Sequence, residues 1–177
     1  MTELAYKFTR PGARSPFTGF TWSPGEWVEV EGHVGLCTNG IHACRQEALP
    51  RWVNDELWLI ELDEVQEEHE GVLIARRGRL LERIEGWDAE ASRELARSCA
   101  ARVRELAARN SDPLVHGRAR MIAEIADGPD PSATALAMYT TAHTFDEVDG
   151  SYYDERRRQA EWLRERLQLD AVGLGTA

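Results

Sequence analysis

The spacing of apolar residues changes period once along this chain, at Gly86-Trp87-Asp88, and that change governs what the chain can fold into. Before it, apolar residues come in short runs broken by Pro, Gly and Asn. After it, long stretches of Ala, Leu, Arg and Glu repeat at helical spacing. Period two sends alternate side chains to the two faces of a strand, whereas a period of 3.6 gathers them on one face of a helix. The expected class is therefore α+β. Residues 1–87 form a small, mostly antiparallel sheet, and residues 88–177 form a layer of about four helices packed with it as one unit.

In the first part, strands are predicted at residues 4–9, 20–23, 27–31, 40–44, 56–62, 72–76 and 79–84. Ser23-Pro24-Gly25-Glu26 has Pro and Gly at the central positions of a type II turn. Residues 45–53 read as a short helix interrupted by Pro50, and Gly71 and Gly78 as the punctuation of a hairpin-like pair. In the second part, Asp88 caps a helix whose stripe is Ala91, Leu95, Cys99, Val103 and Leu106. Asp112-Pro113 opens the next helix with an N-cap and Pro at N1. Pro131-Ser132 opens a third, ending near Phe145, and a fourth begins around Tyr153-Asp154.

The net charge is −10, with acidic residues in excess in both parts, so clustered positive charge for binding a phosphate backbone is missing. No nucleic-acid partner is expected. The first residues have neither the basic nor the apolar region of a signal peptide, and no apolar run approaches the ~20 residues a bilayer requires, so no membrane partner is expected either. Three cysteines, Cys37, Cys44 and Cys99, are too few for a disulfide scaffold, which points to a cytoplasmic chain with reduced thiols. Lys7 is the only lysine among 21 basic side chains, a bias that reads as coding composition rather than chemistry. Motifs of dinucleotide-binding proteins, P-loop NTPases, zincins and α/β-hydrolases do not occur.

One stretch carries chemistry. Cys37-Thr38-Asn39-Gly40-Ile41-His42-Ala43-Cys44 holds two thiols and an imidazole. On a strand, His42 and Cys44 share a face and Ile41 and Ala43 take the other. Three readings are open. Cys37, His42 and Cys44 are three zinc-type ligands, with Cys99, His33 or His116 to complete a tetrahedron, although the spacing matches no familiar zinc pattern. Alternatively, His42 lowers the pKa of Cys44 or Cys37 and makes a nucleophile. In the third reading the strand simply crosses the core, with the cysteine buried and the histidine satisfied by a backbone carbonyl.

Tyr6-Lys7-Phe8, Ser15-Pro16-Phe17-Thr18-Gly19-Phe20, Gly25-Glu26-Trp27, the Gly40-Ile41-His42-Ala43-Cys44 stretch and Glu56-Leu57-Trp58-x-Ile60-Glu61-Leu62 occur in that order. Together they resemble a family of uncharacterised actinobacterial proteins, found in shorter form in phages, over roughly the first half of the chain. The resemblance implies a domain boundary and no mechanism. The order of a strand at Tyr6-Lys7, the Gly40-Ile41-His42 strand, a short helix and the 57–62 strand is also similar to the core of ADP-ribosyltransferase-like domains. That likeness implies a nicotinamide ribose beside His42, but no glutamate is clearly placed for the transfer; Glu61, Glu82 and Glu85 are the candidates.

Trp22 and Trp58 are candidate ligand-binding residues, with core packing the ordinary use of such rings. Arg76, in the only dense basic patch of the first half, is a candidate for holding a phosphate or carboxylate. The expected function is small-molecule or ion binding near residues 40–44. The alternatives are an enzyme using His42 and Cys44 and a module that meets a protein partner. The sequence names no cofactor.

Overall fold

The structure is a computed structural model, which describes residues 2–36, 38–128 and 133–171. Five strands, β1 (Glu3–Thr9), β2 (Val28–Glu29), β3 (Ile41–Cys44), β4 (Glu56–His69) and β5 (Val72–Arg83), form one antiparallel sheet. A 3-10 helix, Gln46–Arg51, joins β3 to β4. Four helices follow: α1 (Ala89–Ala108), α2 (Pro113–Asp127), α3 (Ala133–Asp149) and α4 (Tyr152–Leu167). The class is α+β. The third helix's expected opening, Pro131-Ser132, lies outside the described residues.

Strand order is β2-β5-β3-β1-β4, and β4 pairs with β5 as well, so the sheet closes on itself. The long β4–β5 hairpin makes this possible. Its β4 half at Glu56–Leu62 pairs with β1, while Val72–Ala75 of β5 pairs with β3. Register shifts at Leu59/Ile60 and Val65/Glu67 bend the hairpin between these halves. Its turn is Glu70-Gly71, both with positive φ (47° and 78°), the geometry that suits the twist of a two-residue hairpin.

Two corrections to the expected strands have physical causes. Residues 72–76 and 79–84 are parts of one strand, because Gly78 serves packing rather than turning. A Cβ there would stand 3.1 Å from Ile41 Cγ2 and 3.2 Å from Leu62 Cδ2. Residues 20–23 form no strand: only a single bridge, Arg14 to Thr21, ties this segment. The 56–62 strand also runs on to His69, its charged outer residues alternating with half-buried ones against β5.

Closure gives two cores. One lies inside the closed sheet: Ala5, Ile41, Ala43, Ile60, Leu62, Leu73, Ala75 and Leu80, with Trp22 over one end. The other lies between sheet and helices, where Tyr6, Phe8, Cys44, Leu57 and Leu59 meet Trp87 and the α1 stripe Ala91, Leu95, Cys99, Val103 and Leu106. Asp88 caps α1 by accepting from Glu90 N and Ala91 N, and Asp112 caps α2 by accepting from Leu114 N. Buried Arg156 of α4 donates to Pro50 O (3.2 Å) and Gln159 Oε1 (3.1 Å), latching the helical layer to the 3-10 helix. Among the described residues, no helix is long and apolar enough to cross a membrane.

Candidate functional site

β3 follows period two as expected. Ile41 and Ala43 enter the inner core, while Cys44 faces the helices, with His42 on its side of the strand. Gly40 precedes it at φ +134°, and a Cβ there would lie 2.6 Å from Ile74 Cγ2 and 3.0 Å from Val34 Cγ1. Gly40→Ala is therefore expected to cost about 2 kcal/mol, from backbone strain and overpacking together, read as a lowered urea midpoint with an unchanged slope.

Cys44 is 3% exposed, and its thiol donates to Tyr6 O at 3.4 Å. Burial pushes its pKa up to about 12, against the weaker opposing pull of Lys7, so at neutral pH it is a thiol and not a thiolate. Cys99, on α1, is likewise buried and raised to about 12, chiefly by desolvation. Cys37 lies outside the described residues. No group of three or more potential metal ligands occurs among the described residues. His116 is engaged by Asn110 O at 2.8 Å on the helical layer.

His42 is half-buried. Its Nδ1 lies 3.1 Å from Gly40 O. A carbonyl only accepts, so Nδ1 carries the proton and the neutral ring keeps Nε2 as a bare acceptor. That Nε2 is buried and has no hydrogen-bond partner among the described residues. Burial, helped by the charge of Lys7, holds the imidazole below its usual pKa although the Gly40 bond acts the other way, so His42 is neutral at pH 7.

The residue that organises this region is Lys7. β1 and β3 share one ladder pair, Tyr6 with Cys44, so the strands part beyond it. In place of the missing ladder bond, Lys7 Nζ donates to His42 O at 2.6 Å. Lys7 shares the inner face with Ala5, its cross-strand neighbour on β4 is Trp58, and its ammonium lies 5.5 Å from the centre of the Trp22 ring. Lys7 is half-buried as a residue, and desolvation of its amine lowers its pKa to about 8. No carboxylate lies within ion-pair distance of it among the described residues.

Trp22 thus lies over the amine and Trp58 neighbours Lys7 across the sheet, and a single carboxylate positions both. Glu56, 8% exposed, accepts from Gly12 N (3.0 Å), Ala13 N (2.9 Å), Thr9 Oγ1 (3.2 Å) and Trp58 Nε1 (3.3 Å). Trp22 is carried by the segment so pinned, through Trp22 N to Ala13 O (3.0 Å) and Trp22 Nε1 to Ser15 Oγ (2.9 Å). Desolvation pushes the Glu56 pKa up, but the bonds from Ala13, Gly12 and Trp58 and the charge of Arg83 outweigh it and hold it below the usual carboxylate value.

Arg76 stands apart from this group. Its guanidinium donates to Val30 O and Gly32 O, each at 3.1 Å, and pairs with Glu64 at 3.5 Å, so it ties down the segment after β2. The candidate transfer glutamates are used elsewhere or face solvent. Glu61 pairs with Arg79 at 2.7 Å, Glu85 lies 3.9 Å from Arg83, and Glu82 is exposed. Two surface clefts, of about 390 and 310 Å³, lie on the helical layer and include no residue of the Lys7 group.

The residues that build the Lys7 site, from β1 to the end of β5, fall within one stretch that has counterparts elsewhere. Residues 3–86 match a domain of unknown function (DUF7666). The match covers Lys7, Trp22, His42, Cys44, Glu56 and Trp58 and stops before Asp88 caps α1. No curated protein and no solved structure matches the chain.

Sequence reasoning missed Lys7 and Glu56. The signal for Lys7 was its rarity: one lysine among 21 basic side chains, at an inward position of a strand. Glu56 had a weaker signal, a carboxylate at the start of an apolar strand. Its partners lie 43 or more positions away except Trp58, so spacing alone does not reveal them.

Proposed function

We propose that the sheet half of this chain is a cytoplasmic small-molecule-binding module, and that its ligand presents oxygen acceptors to Lys7 where β1 and β3 part. One observation carries the reading: Lys7 is a desolvated cation without a counter-ion among the described residues. Enclosing an ammonium costs several kcal/mol unless it is paired, and a chain with 31 acidic residues has carboxylates to spare for pairing. Ion pairs hold most of the other basic residues of the sheet, including Arg45, Arg77, Arg79 and Arg83. A single bond to a carbonyl leaves two of the ammonium's three donors unused, and a ligand carboxylate, phosphate or carbonyl oxygen would take them. The flanking indoles of Trp22 and Trp58 give such a ligand an apolar wall. Catalysis through Cys44 gains no support from a thiol held in the core.

Titration with acetate and, separately, with inorganic phosphate, followed by nuclear magnetic resonance, tests this. Saturable shifts are expected at the Lys7 side chain and the Trp22 indole N–H, and Lys7→Met should abolish them. Unmoved signals at millimolar probe, or the same shifts in Lys7→Met, would overturn the reading.

A further inference from the structure

We propose that Lys7 is an imine-forming amine whose ligand is a small aldehyde or ketone, bound against Trp22 and Trp58. This rests on the binding reading above and narrows its ligand to one bearing an electrophilic carbonyl. Three geometric facts support it. Among the described residues the one hydrogen-bond partner of the amine, His42 O, is an acceptor, so none of them donates to the lone pair of the neutral amine. Among the described residues no carboxylate pairs with the amine to hold its proton in place. The indole of Trp22, 5% exposed, shields one side, and shelter from water favours the condensed product over the hydrate.

The chemistry balances without an external oxidant or reductant. The lone pair of the neutral amine attacks the carbonyl carbon, the C–N bond forms, and the carbonyl oxygen takes up a proton as nitrogen releases one. The carbinolamine then expels that oxygen as water and leaves C=N. Among the described residues, the titratable groups that act on the amine are Cys44 and His42 on β3. On the neighbouring strands, Glu56 of β4 holds the Trp58 indole and Arg83 of β5 is in register with Trp58. Of these, Cys44 and His42 are uncharged at neutral pH, and Glu56 is bound to its own donors. With burial lowering the Lys7 pKa to about 8, the neutral fraction at pH 7.5 exceeds that of an ordinary lysine by about 200-fold.

Trapping with glyoxylate and cyanoborohydride at pH 7.5 provides the test, with modified peptides located by mass spectrometry and Nα-acetyl-lysine as the reference amine. Lys7 is expected to be alkylated at least ~10-fold faster than the reference, after allowance for the lower nucleophilicity that accompanies a lower pKa. Lys7→Arg should leave no adduct at this position while circular dichroism shows the fold intact. Trapping no faster than the reference would overturn the imine. If acetate and phosphate still shift the Lys7 and Trp22 signals in that case, the binding reading stands without it. If neither probe nor glyoxylate acts at Lys7, both fall.

Discussion

Lys7→Met should make the folded chain more stable at pH 7, by about 2 kcal/mol. The amine titrates at about 8 when folded and at about 10.5 when unfolded, so in the folded state its charged form is held at a cost. At ~1.4 kcal/mol per pKa unit that cost is about 3.5 kcal/mol, and the lost bond to His42 O takes back ~1–1.5 kcal/mol. Methionine keeps an unbranched stem beside Trp22 and Trp58 and brings no charge. The pH dependence has a definite sign. Between pH 8 and 10.5 the unfolded amine holds a proton that the folded one has lost, so the stability of the parent rises across this window and the advantage of Lys7→Met fades. Urea unfolding at pH 7, 9 and 10.5 measures it. If instead Lys7 mainly stitches β1 to β3, Lys7→Met destabilises at every pH. A residue that weakens the fold and sits under the Trp22 indole is the kind that ligand binding, rather than packing, explains.

Glu56→Ala should do the reverse and cost about 3–4 kcal/mol. It strips the acceptor from two backbone N–H groups, a hydroxyl and an indole at once, and the N–H groups of Gly12 and Ala13 have no other acceptor on their turn. Glu56→Gln keeps one oxygen acceptor and should lose roughly half as much, on the same scale. Because the folded pKa lies below the usual 4.5, the contribution of the carboxylate is present above that value and disappears as pH falls through the folded one. The second consequence is local: with the 12–13 turn released, Trp22 leaves Lys7, and the Trp22 indole signal should broaden even where the chain remains folded. A loss under about 1 kcal/mol, with Trp22 unmoved, would contradict the clamp.

The parts of this molecule that were legible in the sequence depend on neighbours in the chain. Asp88 and Asp112 cap their helices because a cap bonds two or three residues ahead. His42 and Cys44 share a face because alternation is a property of one strand. What the sequence concealed is set across the sheet. The charged run from Asp63 to His69 resembles a solvated loop, yet it is strand because β5 supplies its ladder. Gly78 resembles a turn residue, yet it admits Ile41 and Leu62. Lys7 was passed over as a coding accident, because nothing within a few residues of it reveals that β1 and β3 separate beside it or that Trp22 returns over it.

Lys7 being the only lysine, a chain labelled with 13C-lysine gives one side-chain Cε signal, and its pH titration tests the central claim without a variant or a ligand. A midpoint near 8 is expected, moving upward when inorganic phosphate is bound, because an anion favours the charged amine. A midpoint at the ordinary lysine value near 10.5, unmoved by phosphate, would contradict it.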